Sequence, residues 1–99
     1  MDLQEVKKIA SQYSKLVSQY YNTERVILFG SYAKGNAVPE SDIDIAVVMS
    51  YPEKDWLKIS SSLHQLKTSI DMRIEPVLLS SHQDPSGFLE EIYNHGINL

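Results

Sequence analysis

The stretch Gly30-Ser31-Tyr32-Ala33-Lys34-Gly35, followed by Ser41-Asp42-Ile43-Asp44-Ile45, decides the fold expected for this chain. One apolar run, Val26-Ile27-Leu28-Phe29, precedes the glycine, and a second, Ala46-Val47-Val48, follows the acidic residues. Such runs are typical of strands that are buried on both faces. The order therefore predicts a glycine turn at the end of one strand and two carboxylates on the next.

Asp42 and Asp44 are the strongest candidate metal ligands in the sequence. Because side chains alternate along a strand, carboxylates at i and i+2 point to the same face. Charges of one sign held that close repel each other unless a cation lies between them. Mg²⁺ bound together with phosphate oxygens is the common solution. The alternative is a strand with one solvated face, but Asp is depleted in strands, and this pair begins a strand that looks buried.

Gly30 and Ser31 are candidate phosphate contacts. Gly30 lets a ligand approach the backbone closely because it lacks a side chain, and Ser31 would open a short helix whose free N–H groups attract anions. The alternative is a turn that only connects strand to helix. Lys34 either contacts phosphate or is simply solvated. The stretch is not a P-loop, because it lacks the Gly-x-x-x-x-Gly-Lys-Ser/Thr spacing.

A third acid would complete a site for two metal ions. Asp71 and Glu75 both fall on the charged face of a strand predicted over Ile70–Leu79, with Arg73 between them. We choose Glu75, which lies at the end of the alternating segment. Asp71 either replaces it, caps the strand or pairs with Arg73, and pairing is the favoured role for Arg73.

Composition limits the class of protein. The 99 residues, 42% of them hydrophobic, predict one domain over residues 1–99. The net charge of −4 argues against a basic nucleic-acid-binding surface. The absence of cysteine excludes disulfides and makes the cytoplasm the default compartment. No signal peptide or membrane-spanning run is found, and three scattered histidines give no zinc-site pattern.

Hydrophobic periodicity predicts alternating helices and strands. Helices are expected over residues 2–21, with Asp2 as the N-cap, and over Ser31–Lys34, Asp55–Thr68 and Gly87–His95. Strands are expected over Arg25–Phe29, Asp42–Met49 and Ile70–Leu79, with a turn at Tyr51-Pro52-Glu53. The order α-β-α-β-α-β-α predicts an α/β (α+β) fold in which helices flank a small mixed sheet. We expect Tyr13, Tyr20 and Tyr21 to pack in the core or at an interface. Trp56 is expected in the core, and the alternative is a platform on which adenine stacks.

Together these features resemble the DNA polymerase beta-like nucleotidyltransferase superfamily. Its pattern is an apolar strand with Gly-Ser, then Asp-x-Asp, then an acid on a later strand. Here the pattern falls on Phe29-Gly30-Ser31, on Asp42-Ile43-Asp44 and on Glu75. The form of the motif is most similar to the minimal nucleotidyltransferases, and the resemblance covers nearly the whole chain. Glu75 departs from the Asp that many relatives have at this position.

The resemblance implies a metal-dependent nucleotidyl transfer. Members bind a nucleoside triphosphate with divalent metal and move a nucleoside monophosphate onto a hydroxyl group. Here Asp42 and Asp44 would hold two Mg²⁺ ions, and Glu75 would bind the catalytic one and help to deprotonate the hydroxyl. Gly30 and Ser31 would hold the β- and γ-phosphates of the nucleotide, which we expect to be ATP.

The resemblance also implies a protein partner. Minimal nucleotidyltransferases often pair with a small helical HEPN ribonuclease toxin, which they adenylylate as its antitoxin. Larger relatives carry an acceptor-binding domain, for which 99 residues leave no room, so the acceptor site is expected on a partner or a second copy of the chain. Two alternatives stay open: a non-catalytic module that neutralises a partner by contact, and a transferase acting on a small antibiotic-like molecule.

Overall fold

A computed structural model describes residues 1–50 and 55–99, so the turn predicted at Tyr51-Pro52-Glu53 lies outside the described residues. The helices are α1 (Leu3–Tyr20), α2 (Ser31–Lys34), α3 (Trp56–Lys67) and α4 (Phe88–His95). The strands are β1 (Arg25–Phe29), β2 (Ile43–Met49), β3 (Ile74–Ser80) and β4 (Ile97–Asn98). They form a mixed sheet in the order β3-β2-β1-β4. The prediction of a small mixed sheet flanked by helices is confirmed.

Strand β2 lies in the interior of the sheet. It pairs antiparallel with β1, so that Phe29 lies beside Asp44, and parallel with β3, so that Asp44 lies beside Glu75. Every residue of β2 is buried except the half-buried Asp44. The sequence prediction of a central buried strand is therefore confirmed, with one acidic residue inside it.

The two faces of the sheet pack against different helices. On the first face, Val26 and Leu28 pack with buried residues of α1 and α3, such as Val17 and Leu63. On the second face the partner is α4, and the buried residues are Ile27, Ala46, Val48, Leu89 and Ile92. Because side chains alternate along a strand, Asp44 lies on this second face, next to Ala46. On this second face, α4 therefore covers one end of the sheet, and the acidic residues lie at the other end.

Helix α1 begins as its sequence predicts. The Asp2 carboxylate accepts a hydrogen bond from the Glu5 backbone N–H at 2.9 Å, which satisfies a donor that the helix leaves free. At the middle of α1, the fully buried Tyr13 hydroxyl donates a 2.8 Å hydrogen bond to the Leu63 carbonyl of α3. Burial raises the pKa of Tyr13, so the phenol stays neutral. This bond fixes the two helices that cover the first face.

Two strand boundaries differ from the predictions. The strand predicted from Ile70 begins only at Ile74, because the Asp71 carboxylate accepts the Arg73 N–H at 2.9 Å and bends the backbone into a turn. Asp71 and Arg73 thus precede β3. Strand β2 begins at Ile43, which leaves Asp42 one residue outside it.

Strand β4 was not predicted, because two residues are too few to show periodicity. It pairs antiparallel with β1, and the Leu99 N–H donates to the Val26 carbonyl at 3.0 Å. The core prediction is right for Tyr13 and Tyr21, which packs partly buried against the core, and wrong for Trp56, which is 37% exposed. Tyr20 is 64% exposed, so for this residue only the interface alternative stays a prediction. Tyr20 is the last residue of α1, and Trp56 the first of α3, where helix ends leave the packed layer.

Within the described part of the chain, no helix has the length and apolar character needed to cross a membrane.

Replacing Tyr13 with Phe should lower the free energy of unfolding by about 1 kcal/mol, because one buried hydrogen bond is lost. For a domain of this size the melting temperature should fall by about 4–8 °C. Thermal unfolding followed by circular dichroism measures the change. Tyr20→Phe is the matched control, because Tyr20 is exposed on the same helix; equal melting temperatures for the two variants would contradict the prediction.

Candidate active site

The turn after β1 lies directly against the Asp44 side chain. Gly30 has φ +76° and ψ −151°, a backbone conformation that side chains essentially exclude. A Cβ atom built on Gly30 would lie 2.1 Å from Asp44 Oδ2 and 3.0 Å from its Cγ. No other residue type can stand here unless the carboxylate moves. The backbone of the predicted phosphate turn and the predicted metal ligand are therefore in van der Waals contact.

Three carboxylates act on one another at this end of the sheet. Burial raises the pKa of Asp44, and the negative charges of Asp42 and Glu75 raise it further. Asp42 is exposed just before β2, while Glu75 lies beside Asp44 in the register of β3. Within residues 1–50 and 55–99, no three carboxylate or imidazole groups form a set that could hold a metal ion by themselves. The predicted acids therefore repel one another, but among the described residues they do not form a group that could bind a metal ion by itself.

The other acid considered for the site has a different role. Both Asp71 oxygens accept hydrogen bonds from the Arg73 guanidinium, from Nε at 2.9 Å and from Nη2 at 2.6 Å. These bonds lower the pKa of Asp71 and raise that of Arg73. The pairing predicted for Arg73 is confirmed, and it engages the Asp71 carboxylate.

Glu75 also has a cation beside it. The Lys67 Nζ atom, at the end of α3, lies 4.0 Å from Glu75 Oε2, and the Lys67 side chain is mostly buried while that of Glu75 is half exposed. Glu75 thus has Asp44 beside it in the parallel register and the Lys67 cation at 4.0 Å. The pattern of acids in the sequence drew attention to Glu75 but gave no signal for Lys67, which a helix brings in from elsewhere in the chain.

Ser31 and Lys34 lie on the short helix α2. The first hydrogen bond of α2 runs from the Lys34 N–H to the Gly30 carbonyl at 3.0 Å, so the N–H groups of residues 31–33 come before the helical pattern starts. Ser31 is half-buried beside Gly30. The exposed Lys34 side chain lies 4.0 Å from Glu91 Oε1 of α4. Gly30, Ser31 and Asp44 are therefore neighbours, and Lys34 extends towards α4.

A pocket of about 170 Å³ adjoins this turn, and sequence patterns did not predict it. Gly30 and Lys34 line one side of it, and Phe88, Glu91 and Ile92 of α4 line the other. Phe29 forms part of the wall, and its ring meets that of Phe88 edge to face, with centroids 5.8 Å apart. The two phenylalanines are far apart in sequence, so only the packing of α4 on β1 reveals the pocket.

The chain belongs to the family described as "Polymerase beta, Nucleotidyltransferase", whose model matches residues 4–99. It is 31% identical to a protein of Methanocaldococcus jannaschii named "Putative protein adenylyltransferase MJ0141", over 96% of this chain and 99% of that protein. The nucleotidyltransferase assignment made from Gly30-Ser31, Asp42-x-Asp44 and Glu75 is thus confirmed at the level of the family.

Solved structures confirm the fold. A "putative nucleotidyltransferase" from Sulfolobus solfataricus superposes with a TM-score of 0.71 at 20% identity, covering 97% of this chain and 80% of that one. A structure described as a "putative minimal nucleotidyltransferase" gives a TM-score of 0.62 at 23% identity, covering 100% of this chain and 97% of that one.

Replacing Gly30 with Ala should displace the Asp44 carboxylate, because the new Cβ would overlap Oδ2. Displacing a reacting group by about 1 Å can cost roughly 100-fold in rate, so we expect nucleotide-dependent activity to fall at least that far. Gly35→Ala is the matched control: Gly35 also has positive φ, at +80°, but its Cβ would meet nothing within 4 Å. Rates measured on both variants at a temperature where both are folded test this; equal losses would show that backbone strain alone is responsible.

Proposed function

We propose that this protein transfers AMP from ATP to a hydroxyl group of a partner protein with the help of Mg²⁺. The observation that carries the proposal is the contact of the Asp44 carboxylate with the Gly30 turn, with Glu75 in register beside it. This juxtaposition suits a nucleotide whose phosphates meet the turn and whose metal meets the acids. The adenylyl group and the protein acceptor are taken from the name of the Methanocaldococcus relative.

The residues present fit Mg²⁺ that binds together with the nucleotide. The charges of Asp42 and Glu75 disfavour the ionised form of Asp44, and a divalent cation would relieve this repulsion. Mg²⁺ is usually held by one or two carboxylates plus substrate phosphates, which agrees with acids that form no closed set among the described residues. Asp42 and Asp44 would hold two ions and Glu75 one of them, and the metal would stabilise the attacking and leaving oxygens.

The residues of the chain then have separate tasks. The Gly30-Ser31 turn binds the β- and γ-phosphates through backbone N–H groups and the Ser31 hydroxyl, and Lys34 adds a positive charge nearby. The acceptor oxygen attacks the α-phosphorus, the bond to pyrophosphate breaks, and Glu75 takes the proton that leaves the hydroxyl. The products are a phosphodiester-linked AMP on the acceptor and pyrophosphate.

The partner that we propose is a HEPN ribonuclease toxin, which this protein would neutralise as an antitoxin in the cytoplasm. This step rests on the resemblance to minimal nucleotidyltransferases. We treat residues 1–99 as the one catalytic domain and the partner as the source of the acceptor site. Self-association stays a prediction, and the mass of the protein in solution, alone and with the partner, measures it.

Incubation of the protein with α-labelled ATP, Mg²⁺ and the product of the adjacent gene should transfer label to that product. Asp42→Asn and Asp44→Asn should reduce the transfer at least 100-fold, because each removes a carboxylate that neutralises the metal. Glu40→Gln is the control, because it removes a nearby exposed negative charge outside the site. If the Asn variants still neutralise the partner fully, the protein acts by contact; if label goes only to a small hydroxyl compound, the small-molecule alternative is correct.

Asp44→Asn should also raise the melting temperature of the metal-free protein, by about 2–4 °C. The pKa of Asp44 is raised in the folded state, so its ionised form destabilises the fold at neutral pH. This penalty fades as the pH falls through the raised pKa, because the carboxylate is then protonated.

With Mg²⁺ and ATP added, the wild type should melt at a higher temperature than Asp44→Asn. Ligand at a hundred times its Kd stabilises the wild type by about 2.7 kcal/mol, whereas the Asn variant should gain little. Differential scanning calorimetry at neutral and mildly acidic pH, with and without Mg²⁺ and ATP, tests both effects. A metal-free Asp44→Asn protein that melts below the wild type would contradict the electrostatic account.

A further inference from the structure

The pocket between β1 and α4 shares a wall with the candidate active site. Gly30 lines the pocket, and the same glycine contacts the Asp44 carboxylate. Phe29, which also lines it, is the residue of β1 that pairs with Asp44. The pocket and the acids therefore lie on the same face of the sheet, separated by a single residue. A ligand held at Asp44 and Ser31 needs little length to reach the pocket.

The walls and the size of the pocket select a flat, largely apolar group. Phe29, Phe88 and Ile92 supply carbon surface, and the two rings are already fixed edge to face. At about 170 Å³ it is smaller than the roughly 300–1,000 Å³ of pockets that hold drug-sized ligands. One ring system fits this volume. The carbon surface of Phe29, Phe88 and Ile92 suits a base better than a charged triphosphate, while Lys34, Glu91 and His95 add polar groups to the lining.

We propose that this pocket seats the nucleobase of the nucleoside triphosphate, an inference that rests on the proposed function. Phe88 is the main contact, because aromatic side chains bind bases through stacking. The ribose then bridges the pocket and the acids, the α-phosphate meets the acids, and the β- and γ-phosphates stay at the Gly30-Ser31 turn. The pocket and the turn thus bind the two ends of one nucleotide.

The charged rim of the pocket adds a preference among bases. Glu91 lines the pocket, and its carboxylate is an acceptor for the amino group of a base. Its pairing with Lys34, at 4.0 Å between exposed side chains, is loose enough to leave acceptor capacity free. Adenine, which carries an exocyclic amino group, is therefore favoured over hypoxanthine, which has a carbonyl oxygen in its place.

The test separates the base from the phosphates. Isothermal titration calorimetry measures the Kd of ATP and of inorganic tripolyphosphate, both with Mg²⁺, for Phe88→Ala and Phe88→Leu. We expect the Kd of ATP to rise about tenfold in Phe88→Ala and less in Phe88→Leu, while that of tripolyphosphate stays unchanged. Tyr93→Ala is the matched control, because Tyr93 is an aromatic residue of α4 with similar exposure, 38% against 40% for Phe88. Its ring instead packs under Arg25.

Nucleoside binding without metal tests the pocket independently of catalysis. Adenosine titrated into ¹³C-labelled protein should shift the methyl resonances of Ile92, and inosine should bind several-fold more weakly. If ATP affinity is unchanged in Phe88→Ala, or if both phosphate ligands weaken equally, the inference is wrong even where AMP transfer proceeds. If adenosine binds in the pocket but no label is transferred to any acceptor, the inference stands and the proposed function fails.

Discussion

The contact between the Gly30 backbone and the Asp44 carboxylate is the constraint on which the rest of the site depends. It requires a residue without a side chain at the end of β1, because a Cβ there would lie 2.1 Å from Oδ2. It also requires β1 and β2 to pair in the register that sets Phe29 beside Asp44. The turn therefore performs two tasks: it ends the strand, and it places the first residues of α2 beside the Asp44 carboxylate.

The acidic end of the sheet is stabilised less than its apolar end. Ala46 and Val48 are fully buried against α4, whereas Asp44, on the same face, is half-buried and meets two other negative charges. An apolar residue in place of Asp44 would extend the core, so the carboxylate costs stability that the rest of the sheet must supply. Proteins commonly accept such a penalty where the group acts on a ligand. Lys67 offsets part of the charge at the outer strand.

Helix α4 serves the core and the surface at once. Leu89 and Ile92 close the second hydrophobic cluster, while Phe88 and Glu91, on the same helix, line the pocket beside the Gly30 turn. Strand β4, directly after α4, fastens the end of the chain to β1. A change that shifts α4 would therefore affect packing and ligand binding together.

The local sequence pattern correctly predicted those features that depend on residues close together in the chain. The run Arg25–Phe29, the turn at Gly30 and the spacing of Asp42 and Asp44 predicted β1, α2 and the acidic strand, and the motif predicted the family. The prediction was wrong where a hydrogen bond to one nearby side chain changed the backbone that the alternation indicated. The Asp71 carboxylate accepts the Arg73 N–H and holds the backbone in a turn before β3. The alternation from Ile70 therefore predicted a strand that begins four residues too early, because that hydrogen bond cannot be read from the sequence.

The sequence by itself determined the helices, the strands other than β4, the glycine turn and the class of enzyme, because periodicity, turn chemistry and motif spacing are properties of contiguous residues. Only the tertiary structure decided which groups meet. It paired Asp44 with Glu75 across parallel strands, set Lys67 beside Glu75, and formed a pocket from Phe29 and Phe88. These contacts join residues far apart in the chain, and their positions follow from how helices and strands pack rather than from any local preference.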